Sequence, residues 1–159
     1  MNILVIYSSK KGTTQKVAYS LVSKLTKHNV TVKDYQSSNV SDINNADFII
    51  IGTSVYVGKP SKKFQDFCLN NLDCLINKQT ALFMCGLEKE QYEEEFQNAF
   101  PKKLINNSQI KSIFGGEVIL KNLNFLEKIM LKKMKGLDKD LHLLDEKEIE
   151  NFANAVNAL

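Results

Sequence analysis

Two apolar rhythms alternate along the chain. The run ILVIY at 3–7 is continuously apolar, as in a strand buried on both faces, and Val17, Leu21, Val22 and Leu25 then recur at helical spacing. VTVKDY at 30–35 is a shorter and more polar strand, which places it nearer a sheet edge, and FIIIGTSVY at 48–56 is the most apolar strand and reads as central. Pro60 and Ser61 open a helix carrying Phe64, Phe67, Cys68, Leu72 and Leu75, and TALFMC at 80–85 is a fourth strand. The stretch from Glu90 to Phe100 is an acidic helix with Tyr92, Phe96 and Phe100 on one stripe, interrupted at Pro101. IKSIFGGEVIL at 110–120 is a fifth strand, and the paired Gly115–Gly116 within it signals a bulge or a close backbone approach. Helices over 123–135 and 146–156 complete the pattern.

Strands alternating with helices predict a single α/β domain over 1–159, with a parallel sheet covered on both faces and right-handed crossovers. No repeat, low-complexity stretch or linker divides it. Ligands of such folds sit at the carboxyl ends of the strands, where the strand order switches. Three loops follow strands there: 8–14, 53–59 and 86–90.

Composition narrows the chemistry. The 159 residues suffice for one core, and no apolar run approaches the roughly 20 residues that span a bilayer. Met1 and Asn2 lead straight into a strand without a basic n-region, so a cytoplasmic protein without a signal peptide is expected. Cys68, Cys74 and Cys85 form no CxxC and read as buried, reduced thiols. With His28 and His142 as the sole histidines, neither a zinc site nor a histidine-based nucleophile system is expected. The net charge of +3 rests on lysines alone, because the chain has no arginine, which argues against recognition by a guanidinium fork. No nucleic-acid partner is expected.

The first loop, YSSKKGTT, lies between strand and helix. Ser8, Ser9, Thr13 and Thr14 offer hydroxyls, and Gly12 permits close backbone approach. Such residues either cap the helix or hold a phosphate at its N-terminus. The Walker pattern G-x-x-x-x-G-K-[ST] and the dinucleotide pattern G-x-G-x-x-G are both absent. A receiver domain would need an acidic pair after the first strand, where Tyr7, Ser8 and Ser9 stand. A small tyrosine phosphatase would need a cysteine and an arginine in this loop. In the second loop, GTSVYVGKP, small and hydroxyl residues followed by Tyr56 and Gly58 suit a flat heteroaromatic ring, on which Tyr56 could stack.

The segment Ser9-Lys10-Lys11-Gly12-Thr13-Thr14 resembles the flavodoxin phosphate loop, [ST]-x-T-G-x-T. The resemblance implies a three-layer α/β/α sandwich with a five-stranded parallel sheet in the order 2-1-3-4-5. It implies FMN as cofactor, its phosphate held by Ser9, Gly12, Thr13 and Thr14, with Lys10 and Lys11 of the same loop also at the cofactor and Lys11 facing either the phosphate or water. Its ring would lie between the second loop (Thr53, Ser54, Val55, Tyr56, Val57, Gly58) and the third (Gly86, Leu87, Glu88). Lys11 departs from the motif by standing where the family usually has threonine. Glu88 is expected to disfavour the reduced, anionic ring and lower the potential. No catalytic acid–base dyad and no metal ligands are nominated.

GTSVYVGKPSKKFQDFC, and IFGGEVILKNLNFLEKIMLKKMKG after it, resemble the menaquinone-dependent protoporphyrinogen oxidase branch of the flavodoxin-like proteins. That branch implies a flavin-dependent oxidoreductase of heme biosynthesis with a quinone acceptor. The third loop lacks the branch's arginine-containing stretch, and the tail KDLHLLDEKEIENF lacks its aromatic pattern. The alternatives are a small electron carrier with a redox partner protein, or a binding module that has lost FMN. On a helical wheel, Leu123, Leu126, Ile129, Met130 and Met134 share one broad arc, Lys128, Lys132 and Lys135 lie opposite, and Leu131 falls outside the apolar arc. This segment reads either as a core-packed helix with a solvated lysine face or as a peripheral contact, Leu123–Lys135, with the inner face of a membrane.

Overall fold

The computed structural model describes residues 1–56 and 59–159. Strand β1 (Asn2–Tyr7) leads through the first loop into α1 (Thr13–Lys24), followed by β2 (Asn29–Asp34), α2 (Val40–Asn45) and β3 (Phe48–Tyr56). The two-residue β4 (Lys59–Pro60) precedes α3 (Lys62–Asn70), α4 (Leu72–Ile76) and β5 (Gln79–Cys85). Helices α5 (Tyr92–Ala99) and α6 (Lys102–Asn107) lead to β6 (Ile110–Ile113) and β7 (Glu117–Val118). Helix α7 (Phe125–Lys135), β8 (Leu141–His142) and α8 (Glu146–Asn157) end the chain. The main sheet runs β2-β1-β3-β5-β6 with every neighbour parallel, while β4 folds back antiparallel on β3. Without the short β4 this is the expected order 2-1-3-4-5.

Side chains alternate across a strand, so an unbroken apolar run buries both faces. Ile3, Val5, Phe48, Ile50, Ala81 and Phe83 face one core with Val17, Ala18 and Leu21 of α1 and Ile149, Phe152 and Val156 of α8. Leu4, Ile6, Ile49, Ile51, Leu82 and Met84 face the other, with Phe64, Cys68, Leu75, Phe96 and Leu104. At Gly52 the missing Cβ makes room for Phe83: an added Cβ would lie 1.9 Å from its ring, which stacks on Phe114 at 5.2 Å. Ser61 caps α3 through Phe64 N–H, as its place after Pro60 predicts. Cys68 and Cys85 are buried, Cys74 is half-buried, and all three are free thiols. Among the described residues, no helix is long and apolar enough to cross a membrane.

The structure corrects three expectations. The helix from Ser61 breaks at Asn71, whose side chain turns back to donate to the Phe67 carbonyl at 2.8 Å. The fifth strand does not run through Gly115–Gly116. It leaves the sheet after Ile113, and β7 pairs antiparallel with β8 in a separate two-stranded sheet. Gly115 adopts φ 71°, and its missing Cβ leaves space for the Leu143 carbonyl, so the glycine pair marks a close approach and the exit from the sheet.

The third correction concerns α7. Leu131, the residue outside the predicted apolar arc, is the one buried, packing with Val118 and Leu123 against Leu87, Leu120, Leu137 and Leu141. Leu126, Ile129 and Met134 point outward, as does Phe125. The two ends of the helix are tethered in that orientation by ion pairs described below.

Candidate functional site

The first loop leaves β1 at Ser8, whose N–H donates to the Gly52 carbonyl at 2.9 Å and ties it to the second loop. Ser9 Oγ accepts from Gly12 N–H at 3.1 Å, closing a small turn. Gly12 stands at the N-cap of α1 in the left-handed region, φ 95°, with open space around it and no side chain capping the helix. The hydroxyl-rich loop therefore does not cap α1, whose first N–H groups stay available to an anion. Thr14 is fully buried in the first turn, beside the Cys85 thiol. Burial pushes that thiol up to about 12, against the lowering effect of its hydrogen bond with Thr14.

Lys11 points neither toward an anion in the loop nor into water. Its ammonium binds Glu127 Oε2 of α7 at 2.7 Å and the Asn122 carbonyl at 3.3 Å. Glu127 also accepts from Asn124 N–H in the capping box of α7, and the Lys11 hydrogen bond holds its carboxyl below the ordinary carboxylate range.

The second loop begins inside β3. Thr53 is fully buried and its hydroxyl is unpartnered, Ser54 is half-buried, and Val55 is buried and pairs with Pro60. Val57 and Gly58, and the Tyr56 side chain whose stacking the sequence suggests, lie outside the described residues. In the third loop, Gly86 N–H donates to the Gly115 carbonyl at 3.0 Å, and the Tyr92 hydroxyl donates to the Gly86 carbonyl at 2.9 Å. Glu88 is bound by Lys135 at 2.5 Å and by the Gln91 amide at 2.9 Å. Its charge is thus paired, which weakens its expected effect on a bound ring.

These loops converge. Ser9, Lys10, Lys11 and Thr13 meet Ser54, Val55, Gly86 and Leu87 around a narrow cleft with a cavity volume of about 40 Å³, closed on one side by residues 116–119 and Leu123. The wall from 116 to 123 was not among the sequence candidates; Gly115–Gly116 was the signal available for it. Its Glu117 is pulled up by burial, but hydrogen bonds from Lys16 at 2.8 Å and His142 at 3.2 Å outweigh this and hold it lowered. Helix α7 straps the cleft, joined to the first loop by Lys11–Glu127 and to the third by Glu88–Lys135.

Behind the third loop, Glu95 is buried with Oε2 unpartnered, 3.0 Å from where a Gly86 Cβ would stand. Burial first, and then the nearby Glu88 charge, raise its pKa. A raised folded-state pKa contributes stability at low pH that is lost as pH rises through it. Glu95→Gln is therefore expected to raise the melting temperature at pH 7 by about 2–4 °C and to flatten its decline above pH 5. Melting curves across pH check this; an unchanged pH slope would show that Glu95 ionises freely.

Among the described residues, no group of His, Cys, Asp and Glu could hold a metal. The geometry defines a doubly wound α/β protein with an uncapped helix N-terminus and a ligand cleft at the strand ends, where the order reverses. A family model described as a flavodoxin domain matches residues 4–143. The chain belongs to the flavodoxin family. Its fold is similar to that of Megasphaera elsdenii flavodoxin in the two-electron reduced state (12% identity, 99% of each chain, TM-score 0.68). It is similar also to Streptococcus pneumonia TIGR4 flavodoxin (16% identity, 99% of each chain, TM-score 0.63). A third neighbour is Fusobacterium nucleatum flavodoxin bound to flavin mononucleotide (13% identity, 99% of this chain and 97% of that one, TM-score 0.54). Comparison with curated proteins finds no match.

Proposed function

We propose that this chain binds FMN in the three-loop cleft and serves as an electron carrier between redox partner proteins. The observation that carries this reading is the meeting of Ser9, Thr13, Ser54, Gly86 and Leu87 around one cleft beside an uncapped helix N-terminus. The phosphate would be held by N–H groups of the first turn of α1 with Ser9, Thr13 and Thr14, and Gly12 lets it approach the backbone. Lys10 adds positive charge nearby, while Lys11 holds the strap. The ring would lie between residues 53–58 and Gly86–Glu88, with Leu87 as an apolar wall. FMN, when bound, supplies the one- and two-electron redox chemistry, and the chain orients it and limits its contact with water.

Protoporphyrinogen dehydrogenation with a quinone acceptor is the narrower alternative raised by the sequence resemblance. The family match and the structural neighbours bear on the flavodoxin reading alone, and an electron carrier needs no substrate site beyond the flavin cleft. The decisive measurement is FMN titration of the purified chain. Stoichiometric quenching of flavin fluorescence is expected, with absorbance bands near ~375 and ~450 nm that belong to the cofactor. Absence of quenching and of bands would overturn the reading. With flavin bound, anaerobic turnover of protoporphyrinogen with menadione would favour the narrower alternative.

A further inference from the structure

Helix α7 has an outward apolar face that stays open among the described residues: Phe125 is 75% exposed, Leu126 74%, Met134 62% and Ile129 48%. Four such side chains on one 11-residue helix form a contiguous patch rather than scattered surface residues. Its charges are equally one-sided. The helix carries four lysines against one glutamate, an excess equal to the +3 of the whole chain. The lone acid, Glu127, is turned inward to Lys11, and Lys135 is turned to Glu88. Lys128, Lys132 and Lys133 remain exposed beside the apolar face. At 100° per residue, Lys128 and Lys132 lie beside Phe125 along one edge of the face, and Lys133 lies between Ile129 and Leu126.

We infer that the outer face of α7 seats this protein on an anionic lipid surface, with Phe125, Leu126, Ile129 and Met134 entering the headgroup boundary and the exposed lysines binding lipid phosphates. The face is a convex helix surface. A fluid interface accepts it without a matching groove, whereas a protein partner would need one. Lysine stems lie along apolar surface and bring their ammonium groups to the headgroup level. Leu131 and the two end tethers hold α7 to the domain, so the apolar face remains outward when the helix is seated. Because α7 straps the cleft, seating would place the cleft's rim at the lipid boundary. The surface stands independently of the flavin reading, and only this last consequence rests on it.

Co-sedimentation of the full chain with phosphatidylcholine vesicles containing phosphatidylglycerol, and with phosphatidylcholine vesicles alone, tests this. Binding to the first and not the second is expected, with release by added salt. Lys128→Gln with Lys132→Gln should lower the partition coefficient roughly thirtyfold, and Phe125→Ser with Leu126→Ser should lower it at least about tenfold. Both pairs are solvent-facing, so FMN quenching measured on the same samples should persist; its loss in the parent chain would overturn the flavin reading and leave the lipid result standing. No binding to either vesicle, or equal binding to both, would overturn the inference. So would a dimer in solution that Phe125→Ser with Leu126→Ser dissociates, because the face would then join two copies of the chain.

Discussion

Gly115→Ala is expected to destabilise the fold by about 3 kcal/mol and to weaken FMN binding as well. Gly115 sits at φ 71°, where a side chain costs about 1–2 kcal/mol. An added Cβ would also lie 2.0 Å from the Leu143 carbonyl oxygen and 3.0 Å from its carbon. That oxygen belongs to the backbone, and its segment is fixed on both sides: Leu143 N–H donates to Gly116 at 2.8 Å, and Asp145 N–H to Phe114 at 2.8 Å. A clash with such a segment costs about 1–3 kcal/mol beyond the backbone strain. The functional effect passes through the Gly115 carbonyl, which accepts from Gly86 N–H and so positions the third loop. Gly136→Ala is the control. Gly136 has φ 64° and open space around it, so only the conformational part, about 1 kcal/mol, is expected. Urea midpoints with FMN titration check both variants, and equal losses would show that the Leu143 contact yields without strain.

Thr14→Val is expected to weaken FMN binding while leaving the stability of the free chain unchanged. The substitution preserves shape and removes a buried hydroxyl whose neighbour is the Cys85 thiol. Without FMN, the variant should be about as stable as the parent. With FMN, the lost donor should weaken binding about tenfold, since a hydrogen bond to a charged phosphate contributes about 1.5–3 kcal/mol. A general packing defect would lower both quantities. Unchanged affinity would place the phosphate away from Thr14.

Helix α7 also changes how the site is understood. The substitution of lysine for threonine in the phosphate-loop motif looked like a change in how an anion is held. In the fold, Lys11 is instead the anchor of a strap, and its ammonium is already engaged by Glu127. The carboxylate at Glu88 is similarly engaged by Lys135. Two charged residues that the sequence resemblance places at a cofactor instead hold α7 across the cleft.

Much of the architecture was legible from local pattern. Apolar runs at 3–7, 48–56 and 80–85 became the three inner strands, and the more polar 30–35 became an edge strand. The same alternation placed the candidate loops at the strand ends, because a buried parallel sheet needs helical crossovers on both faces. Helical periodicity over 123–135 is present in the sequence, but not which side faces inward. Leu131 turns inward onto Val118 and Leu87, and the ion pairs Lys11–Glu127 and Glu88–Lys135, between residues far apart in the chain, tether the two ends in that orientation. The exit of the fifth strand at Gly115 depends on a carbonyl 28 residues later, at Leu143. The buried position of Glu95 depends on the third loop folding over it. Periodicity and turn chemistry act over a few residues, so the sequence alone determined the five strands of the main sheet, their order along the chain and the loops that carry the candidate site. Which charges meet across those loops, and which face of α7 stays exposed, are set by distant contacts and were decided only by the tertiary structure.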